Sequence, residues 1–401
     1  MTNDSMTKKM IPYSRQSIDE EDIQAVVDVL RSDWLTTGPM VERFEQAVAG
    51  FVGAKYAVAV SSGTAALHCA MYAAEIGPRD EVILPPMTFV ATANAVVYQG
   101  GTPVFADVEA DTLLIDPAEV EKKITSKTKA IVAVDYAGQP CDYDALRAIA
   151  DRHHLTLIAD ACHSLGAEYK GRRVGTLADL SVFSFHPVKH ITTGEGGMVV
   201  THNPEYAEKM RRFRNHGIST DQRQRAEKGT WYYEMVDLGY NYRLTDFQCA
   251  LGLSQLRKLP VWISRRQEIA EKYNRTLAEI SSVRPLKAFQ DRKHTYHLYV
   301  IQLGREGFEA DRSVIFDSLR KHGIGVNVHY IPVHLQPFYQ RHFGTNQGFY
   351  PLAERLYKEI LSLPIHPAMK EVEMKHVVRV IKRVIREETF TCTNLKKASI
   401  G

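Results

Sequence analysis

Two patterns of hydrophobic and polar positions alternate along the first two thirds of the chain. Short, continuous apolar segments rich in valine and isoleucine predict strands over residues 56–60, 81–84, 103–108, 130–134, 155–159, 180–185 and 198–201. Apolar residues at helical spacing predict helices between several of them, over residues 65–75, 92–98, 117–124 and 143–153. Apolar strands separated by helices indicate an α/β fold with a mostly parallel sheet covered on both faces. Ligands of such sheets bind beyond the carboxyl ends of the strands.

The pattern changes after about residue 258. Helices are predicted over 263–280, 311–322, 354–361 and 372–386, and strands over 297–303 and 325–330. We therefore expect a large domain over residues 11–258 and a smaller α+β domain over 259–388. Residues 1–10 and 389–401 have little apolar content and are expected to be flexible tails.

The first helix has a start signal of its own. Ser17 and Glu20 have the spacing of an S-x-x-E capping box, in which each side chain hydrogen-bonds the backbone of the other residue. Ile23, Val26 and Leu30 follow at helical spacing. The sequence therefore predicts that the helix begins directly after Ser17.

Composition excludes several classes of partner. The 401 residues include 50 basic and 47 acidic side chains, and the net charge of +3 is spread along the chain, so nucleic acid is not expected as a partner. No apolar run approaches the roughly 18–20 residues that cross a membrane, so no membrane partner is expected. The five cysteines are widely spaced and form no C-x-x-C pair, as in a reducing compartment. We expect a cytoplasmic protein.

The strongest candidate chemistry lies between residues 160 and 197. Asp160 ends one predicted apolar strand, and Lys189 follows the next strand in a loop that contains several glycines. Pyridoxal phosphate (PLP) needs an amine that bonds to its aldehyde and a carboxylate that keeps its ring nitrogen protonated. Most lysines are solvated surface residues. A buried carboxylate at a strand end is harder to explain as structure alone, so the pair predicts a PLP site.

Other candidates remain open on their own evidence. The segment SSGTA at residues 61–65 joins a strand to a helix, where it could bind a phosphate or serve as an ordinary capped turn. Phe89 could stack on a pyridine ring or belong to the core. His163 could lie against a cofactor, hold its phenolic oxygen, or be a structural histidine. Ser184 is placed to donate to a phosphate. The histidines lack a matching cysteine or carboxylate cluster, so no metal site is expected.

Several motifs occur together in one order, and they resemble those of a known family. They are SSGTAALH, PPMTFVATAN, GTPVFADV, DACHSLGAEYKGRRVGTLADLSVFSFHPVKHITTGEGGMVVT, RNHGI, GYNYRLTDFQCALGLSQL and HYIPVH. Across residues 11–386 the chain resembles the DegT/DnrJ/EryC1/StrS family of nucleotide-sugar aminotransferases. This resemblance implies fold type I of the PLP-dependent transferases, the aspartate aminotransferase-like architecture.

The resemblance also implies roles for single residues. Lys189 would bond covalently to PLP, and Asp160 would pair with the pyridine nitrogen. The other cofactor contacts would be Phe89 stacking on the ring, His163 near the ring oxygen, and Thr64, Ala65 and Ser184 on the phosphate. Asn241 would reach the phosphate of the neighbouring subunit, which implies a homodimer with shared active sites. Arg243 and His329 would lie near the sugar nucleotide.

The activity implied is amino transfer from glutamate, through the pyridoxamine phosphate (PMP) form, to C4 of a UDP-linked 2-acetamido-2,6-dideoxy-4-keto-hexose. Within the family, the resemblance is closest to the branch that serves pseudaminic acid biosynthesis. Amination of a bacillosamine-type UDP sugar, of GDP-perosamine precursors or of a 4-keto-arabinose remains open. Two alternatives belong to other functional classes. A PLP-dependent sugar dehydratase has histidine at the position of Lys189, so Lys189 argues against it. A transcription regulator built on this fold would need a DNA-binding module in addition. Residues 219–235 and those after 386 match no family pattern, so the substrate loop is not assigned.

Overall fold

The structure, a computed structural model, describes residues 10–220, 222–304 and 311–399, with the backbone alone for residues 222 and 389–399. The helices are α1 (Glu20–Leu30), α2 (Pro39–Val52), α3 (Gly63–Ala73), α4 (Val90–Tyr98), α5 (Pro117–Lys123), α6 (Tyr143–His153), α7 (Pro204–Phe213), α8 (Gln222–Glu227), α9 (Asp246–Leu277), α10 (Arg312–Lys321), α11 (Pro337–Phe343), α12 (Pro351–Glu359) and α13 (Glu371–Ser399).

The strands are β1 (Tyr56–Val60), β2 (Glu81–Leu84), β3 (Thr102–Phe105), β4 (Thr128–Val134), β5 (Thr156–Asp160), β6 (Glu168–Tyr169), β7 (Arg172–Arg173), β8 (Leu180–Ser184), β9 (Gly197–Thr201), β10 (Val283–Pro285), β11 (Arg292–Lys293), β12 (Tyr299–Leu303) and β13 (Ile360–Leu363).

A seven-stranded sheet in the order β1-β9-β8-β5-β4-β2-β3 forms the centre of the molecule. Five of its strands are parallel to one another, namely β3, β2, β4, β5 and β8. β9 pairs antiparallel with both β8 and β1. The α/β class with a mostly parallel sheet is therefore confirmed. Because β8 and β9 are antiparallel neighbours, the segment between them returns along the same end of the sheet without a crossover helix. That segment carries Lys189.

The remaining strands form two small antiparallel sheets, β10-β12-β13 and β11-β6-β7. The prediction of a strand over residues 325–330 is wrong. Asn327 makes a single antiparallel bridge to Ser362, and the chain then leaves the edge of β13. The prediction of a helix through residue 361 is also wrong, because the apolar residues after Glu359 form β13 and pair with β12.

The predicted capping box at Ser17 and Glu20 is likewise wrong. Asp19 caps α1, and its side chain accepts a hydrogen bond from the Asp22 N–H at 3.1 Å. The Asp22 side chain in turn accepts from the Asp19 N–H at 3.2 Å. Aspartate caps a helix as well as serine does. Asp22 is also buried beside Lys258, whose Nζ lies 2.9 Å from its carboxylate, and this packing favours the later start.

One long helix crosses the predicted domain boundary. α9 is 32 residues long and runs without a break through residues 258 and 259. The core around the large sheet also includes Val333 and Tyr350, whereas a second core packs α10 and α13 against the β10-β12-β13 sheet. The division at residue 258 stays a prediction.

The backbone of α13 continues to Ser399, through most of the segment predicted to be flexible. Residues 1–9, 400 and 401 lie outside the described residues.

Candidate active site

A cavity of about 580 Å³ lies at the carboxyl ends of β4, β5 and β8. It brings together residues that are far apart in the sequence, and the following predicted site residues line it: Thr64, Phe89, Asp160, His163, Ser184, Lys189 and His329. Ala65, Asn241 and Arg243 do not line it. The position agrees with the rule that parallel sheets bind ligands beyond their carboxyl ends.

Asp160 ends β5 and is buried. One carboxylate oxygen accepts a hydrogen bond from Thr92 Oγ1 at 2.7 Å, and the other accepts from the Cys162 N–H at 3.3 Å. Among the described residues, Asp160 forms no ion pair. A buried carboxylate held only by neutral donors is suited to a cationic ligand, because the ligand then supplies the missing counter-charge.

Lys189 lies in the segment between β8 and β9, where its N–H donates to the His186 carbonyl at 2.9 Å. Ser14 Oγ donates to the adjacent Val188 carbonyl at 3.1 Å, so the N-terminal segment holds this loop from outside. Burial lowers the pKa of Lys189, and the nearby Cys162 and Asp160 offset part of that shift. A lowered pKa leaves more of the amine neutral, which is the nucleophilic form.

The start of α3 forms an anion cradle. Ser62 caps the helix, and its Oγ accepts a hydrogen bond from the Ala65 N–H at 3.0 Å. That contact uses the Ala65 amide, whereas the N–H groups of Gly63 and Thr64 have no partner among the described residues. A Cβ on Gly63 would lie only 2.9 Å from Ser184 Cβ, so only glycine fits beside Ser184. Two unpaired N–H groups at a helix N-terminus, close to a hydroxyl, are suited to phosphate.

His163 and Phe89 line the same cavity in different environments. Phe89 is 56% exposed, with its ring centroid 5.9 Å from that of Tyr330. His163 is buried, and its Nε2 lies 3.1 Å from Tyr330 Oη, at hydrogen-bonding distance. Burial, with a smaller effect from Lys189, holds the pKa of His163 well below its usual value. The ring is therefore neutral where it lines the cavity, and its buried Nδ1 has no partner among the described residues.

His329 is buried at another wall of the cavity, where its Nδ1 lies 2.8 Å from Ser362 Oγ. Burial lowers the pKa of His329 to about 3, so the ring is neutral at physiological pH. Tyr13, Thr92 and Tyr330 also line the cavity and were not among the predicted site residues. Tyr330 follows His329 directly in HYIPVH, and Thr92 lies three residues after Phe89. Proximity to these candidates was the only available signal.

Asn241 and Arg243 lie outside the cavity. Asn241 is exposed and bridges to Asn215, whose side-chain oxygen accepts from Arg243 Nη1 at 2.8 Å. Arg243 lines a separate pocket of about 430 Å³ together with Arg214 and Arg223. Burial, together with the charge of Arg214, lowers the pKa of Arg243. Neither residue is placed to act on the cavity of its own chain.

The cavity fits PLP. The unpaired amides of Gly63 and Thr64 and the hydroxyl of Ser184 suit its phosphate. Asp160 suits a protonated ring nitrogen, and the Lys189 amine suits its aldehyde.

The described residues contain no group of three or more histidine, cysteine, aspartate or glutamate side chains arranged to hold a metal ion. Over the same part of the chain, no helix is long and apolar enough to cross a membrane.

Comparisons with known proteins agree with this geometry. Residues 16–382 match the DegT/DnrJ/EryC1/StrS aminotransferase family. The spore coat polysaccharide biosynthesis protein SpsC of Bacillus subtilis is 42% identical over 378 residues, which cover 94% of this chain and 97% of SpsC.

Two solved structures are similar over nearly the whole chain. Helicobacter pylori PseC, an aminotransferase involved in pseudaminic acid biosynthesis, is 37% identical with a TM-score of 0.88, covering 94% of this chain and 100% of PseC. Spr1654 of Streptococcus pneumoniae, assigned as a sugar aminotransferase, is 33% identical in both its PMP and PLP forms. Its TM-scores are 0.89 and 0.88, and each form covers 94% of this chain, with 100% and 99% of Spr1654 covered. The chain therefore belongs to the DegT/DnrJ/EryC1/StrS family and is a PLP-dependent sugar aminotransferase of fold type I.

Proposed function

We propose that the enzyme transfers the amino group of glutamate to C4 of a UDP-linked 2-acetamido-2,6-dideoxy-4-keto-hexose. The product would be UDP-4-amino-4,6-dideoxy-N-acetyl-β-L-altrosamine, on the route to pseudaminic acid. The observation that carries this proposal is the similarity to Helicobacter pylori PseC over nearly the full length of both chains, at 37% identity.

The cavity residues have the chemistry that this transfer requires. PLP supplies an aldehyde that takes up the amino group and a ring that accepts electrons. Lys189 Nζ would carry a proton in each half of the reaction. It would accept one from Cα of the amino donor in the first half and donate one to C4 of the sugar in the second. The lowered pKa of Lys189 suits a group that must both accept and release a proton near neutral pH.

The remaining cavity residues hold and orient the cofactor. Asp160 keeps the ring nitrogen protonated, and the donors from Thr92 and Cys162 fix its two oxygens. The start of α3 and Ser184 hold the phosphate. The neutral His163 ring lines the cavity and is placed to lie against the cofactor ring.

We propose further that the active enzyme is a homodimer in which Asn241 completes the site of the partner subunit. Asn241 is exposed and does not reach the cavity of its own chain. The segment before it presents large apolar side chains to solvent, with Trp231 85% and Leu238 71% exposed. Exposed apolar residues clustered in one segment are typical of an interface. A second copy of the chain would cover them.

We place this dimer in the cytoplasm. Cys69, Cys141, Cys162 and Cys249, the cysteines whose side chains the structure describes, all carry free thiols. Free thiols persist in reducing compartments.

A second candidate has an observation in its favour. SpsC of Bacillus subtilis, which serves spore coat polysaccharide biosynthesis, is 42% identical to this chain. A different 4-keto sugar destined for a surface polysaccharide, such as a bacillosamine-type UDP sugar or a GDP-linked sugar, is therefore the alternative acceptor.

Product identification separates the two candidates. The enzyme is incubated with glutamate and each of the two C5-epimeric UDP-4-keto sugars made from UDP-N-acetylglucosamine, and the products are analysed by mass spectrometry and NMR. We expect amination of the C5-inverted epimer in preference to the other. A clear preference for the uninverted sugar, or for a GDP-linked 4-keto sugar, would assign the enzyme to the alternative.

A further inference from the structure

A second buried carboxylate lies directly behind the cavity. Asp135 follows β4 as Asp160 ends β5, and the Asp135 N–H donates to the Asp160 carbonyl at 3.1 Å. The Asp135 side chain has no exposed surface and does not line the cavity. It forms no ion pair with any described residue. A buried carboxylate without a counter-ion is costly, so its contacts require an explanation.

Three donors converge on this carboxylate. Oδ1 accepts from the Cys141 N–H and from Tyr143 Oη, each at 2.9 Å, and Oδ2 accepts from Ser164 Oγ at 2.6 Å. Desolvation still outweighs these hydrogen bonds and raises the pKa of Asp135 to about 6, with a small contribution from Asp160. The ionised side chain therefore costs stability at neutral pH. Strongly perturbed pKa values cluster at functional sites.

The contact with Ser164 connects Asp135 to the cavity wall. The Ser164 N–H donates to the Ala161 carbonyl at 2.9 Å, which closes a turn directly after β5. Within this turn, the Cys162 N–H donates to Asp160 Oδ1, and the His163 ring lines the cavity. The β-sheet fixes the first end of the turn, and Asp135 holds the side chain at its other end.

We propose that Asp135 is a positioning residue that, through Ser164, holds the turn over residues 160–164 so that Asp160 and His163 face the cofactor correctly. The inference rests on the proposed roles of Asp160 and His163. Thr295 Oγ1 donates to the His163 carbonyl at 3.1 Å and holds the same turn from its other side. Loss of the Ser164 contact should therefore loosen the turn without unfolding it.

Two matched variants test the proposal, because each removes one hydroxyl donor from the same carboxylate. Ser164→Ala breaks the connection to the turn, whereas Tyr143→Phe breaks only the connection to α6. For Ser164→Ala we expect a fall in kcat of about tenfold, PLP binding to the apoenzyme weakened by a similar factor, and a shifted visible band of the bound cofactor. Tyr143→Phe should keep the wild-type spectrum and PLP affinity.

Substitutions of Asp135 itself provide the rescue test. In Asp135→Asn the amide oxygen can still accept from Cys141 and Tyr143, and its NH₂ group can donate to Ser164 Oγ. This variant should keep most of the activity and the wild-type spectrum, whereas Asp135→Ala should behave like Ser164→Ala or worse.

The proposal is overturned if folded Ser164→Ala matches the wild type in spectrum, PLP affinity and kcat, or if Tyr143→Phe is equally impaired. Failure of the proposed function would look different. In that case the wild-type protein itself would not aminate either UDP-4-keto sugar, whatever the spectra of the variants.

Discussion

Thr92 Oγ1 donates a 2.7 Å hydrogen bond to Asp160 Oδ2. Thr92 lies on α4 and Asp160 at the end of β5, so the contact joins two elements that are 68 residues apart. Thr92 Oγ1 also lies 2.8 Å from Thr88 Oγ1. Both threonines are buried. A hydrogen bond to a buried carboxylate is stronger than one between neutral groups, so Thr92 should fix the orientation of Asp160.

Thr92→Val should lower kcat about tenfold, because valine has nearly the same shape but cannot donate to Asp160. KM for the sugar should change little, since Thr92 acts on the cofactor side. Thr88→Val is the matched control, because its hydroxyl reaches Thr92 and not Asp160. Steady-state kinetics of the two variants decide the point. Equal losses in both would mean that general packing, and not the contact with Asp160, is responsible.

Asp160→Asn should fold normally and lose turnover by about 10²- to 10³-fold, because a neutral amide cannot hold the ring nitrogen protonated. The Asn side chain can still accept from Thr92, so the local contacts should survive. Circular dichroism checks the fold, and single-turnover kinetics with glutamate measure the first half of the reaction. Turnover close to that of the wild type would contradict the role proposed for Asp160.

The purified enzyme should be yellow, with a visible absorption band that depends on Lys189. Reduction with borohydride followed by peptide mapping should place the cofactor on the peptide that contains Lys189. Lys189→Ala should lose this label and all transamination, although PLP can still bind noncovalently through the start of α3 and Ser184. Lys170, an exposed lysine paired with Asp144, provides a control position. A label on any other lysine would refute the assignment.

Two inactive variants should complement each other if Asn241 serves the partner subunit. In a mixed dimer of Lys189→Ala and Asn241→Ala chains, one site carries both lesions and the other carries neither. Mixing equal amounts and allowing subunit exchange should restore about a quarter of the wild-type activity. Native mass spectrometry confirms the exchange. Exchange without recovered activity would mean that both residues act in the site of one chain.

Stability should depend on pH through Asp135. Its pKa is raised from 3.8 to about 6, so the folded protein disfavours the ionised form. Well below pH 3.8 the group is protonated in both states and costs nothing. Between pH 4 and 6 the unfolded chain loses the proton first, and stability falls by an amount on the order of 3 kcal/mol.

Asp135→Asn has no such charge. In thermal melts of the holoenzyme, its Tm should therefore rise relative to that of the wild type as pH increases from 4.5 to 7. Asp144→Asn is the control. The ion pair with Lys170 lowers the pKa of the exposed Asp144, so its substitution should cause a small loss at neutral pH. A Tm difference between Asp135→Asn and the wild type that stays constant across this range would contradict the prediction.

The fold class, the family and seven of the residues that line the cavity could be predicted from the sequence alone. Apolar strands such as 56–60 and 81–84 could be located to the residue, because a strand buried on both faces is continuously apolar. Asp160 and Lys189 could be recognised because each is a charged group next to such a strand. A charged residue next to a buried apolar strand can be recognised from the sequence alone, because such a position otherwise excludes charge.

Features that depend on contacts between residues distant along the chain could be identified only in the folded structure. Ile360–Leu363 is apolar enough to extend a helix, and only its pairing with β12 makes it a strand. The contacts of Thr92 with Asp160 and of Tyr330 with His163 join residues 68 and 167 positions apart. Asp135 looks like any other aspartate at a strand end. Its burial and its three donors arise only when the loops after β4 and β5 meet, because hydrogen-bond partners are set by packing and not by periodicity.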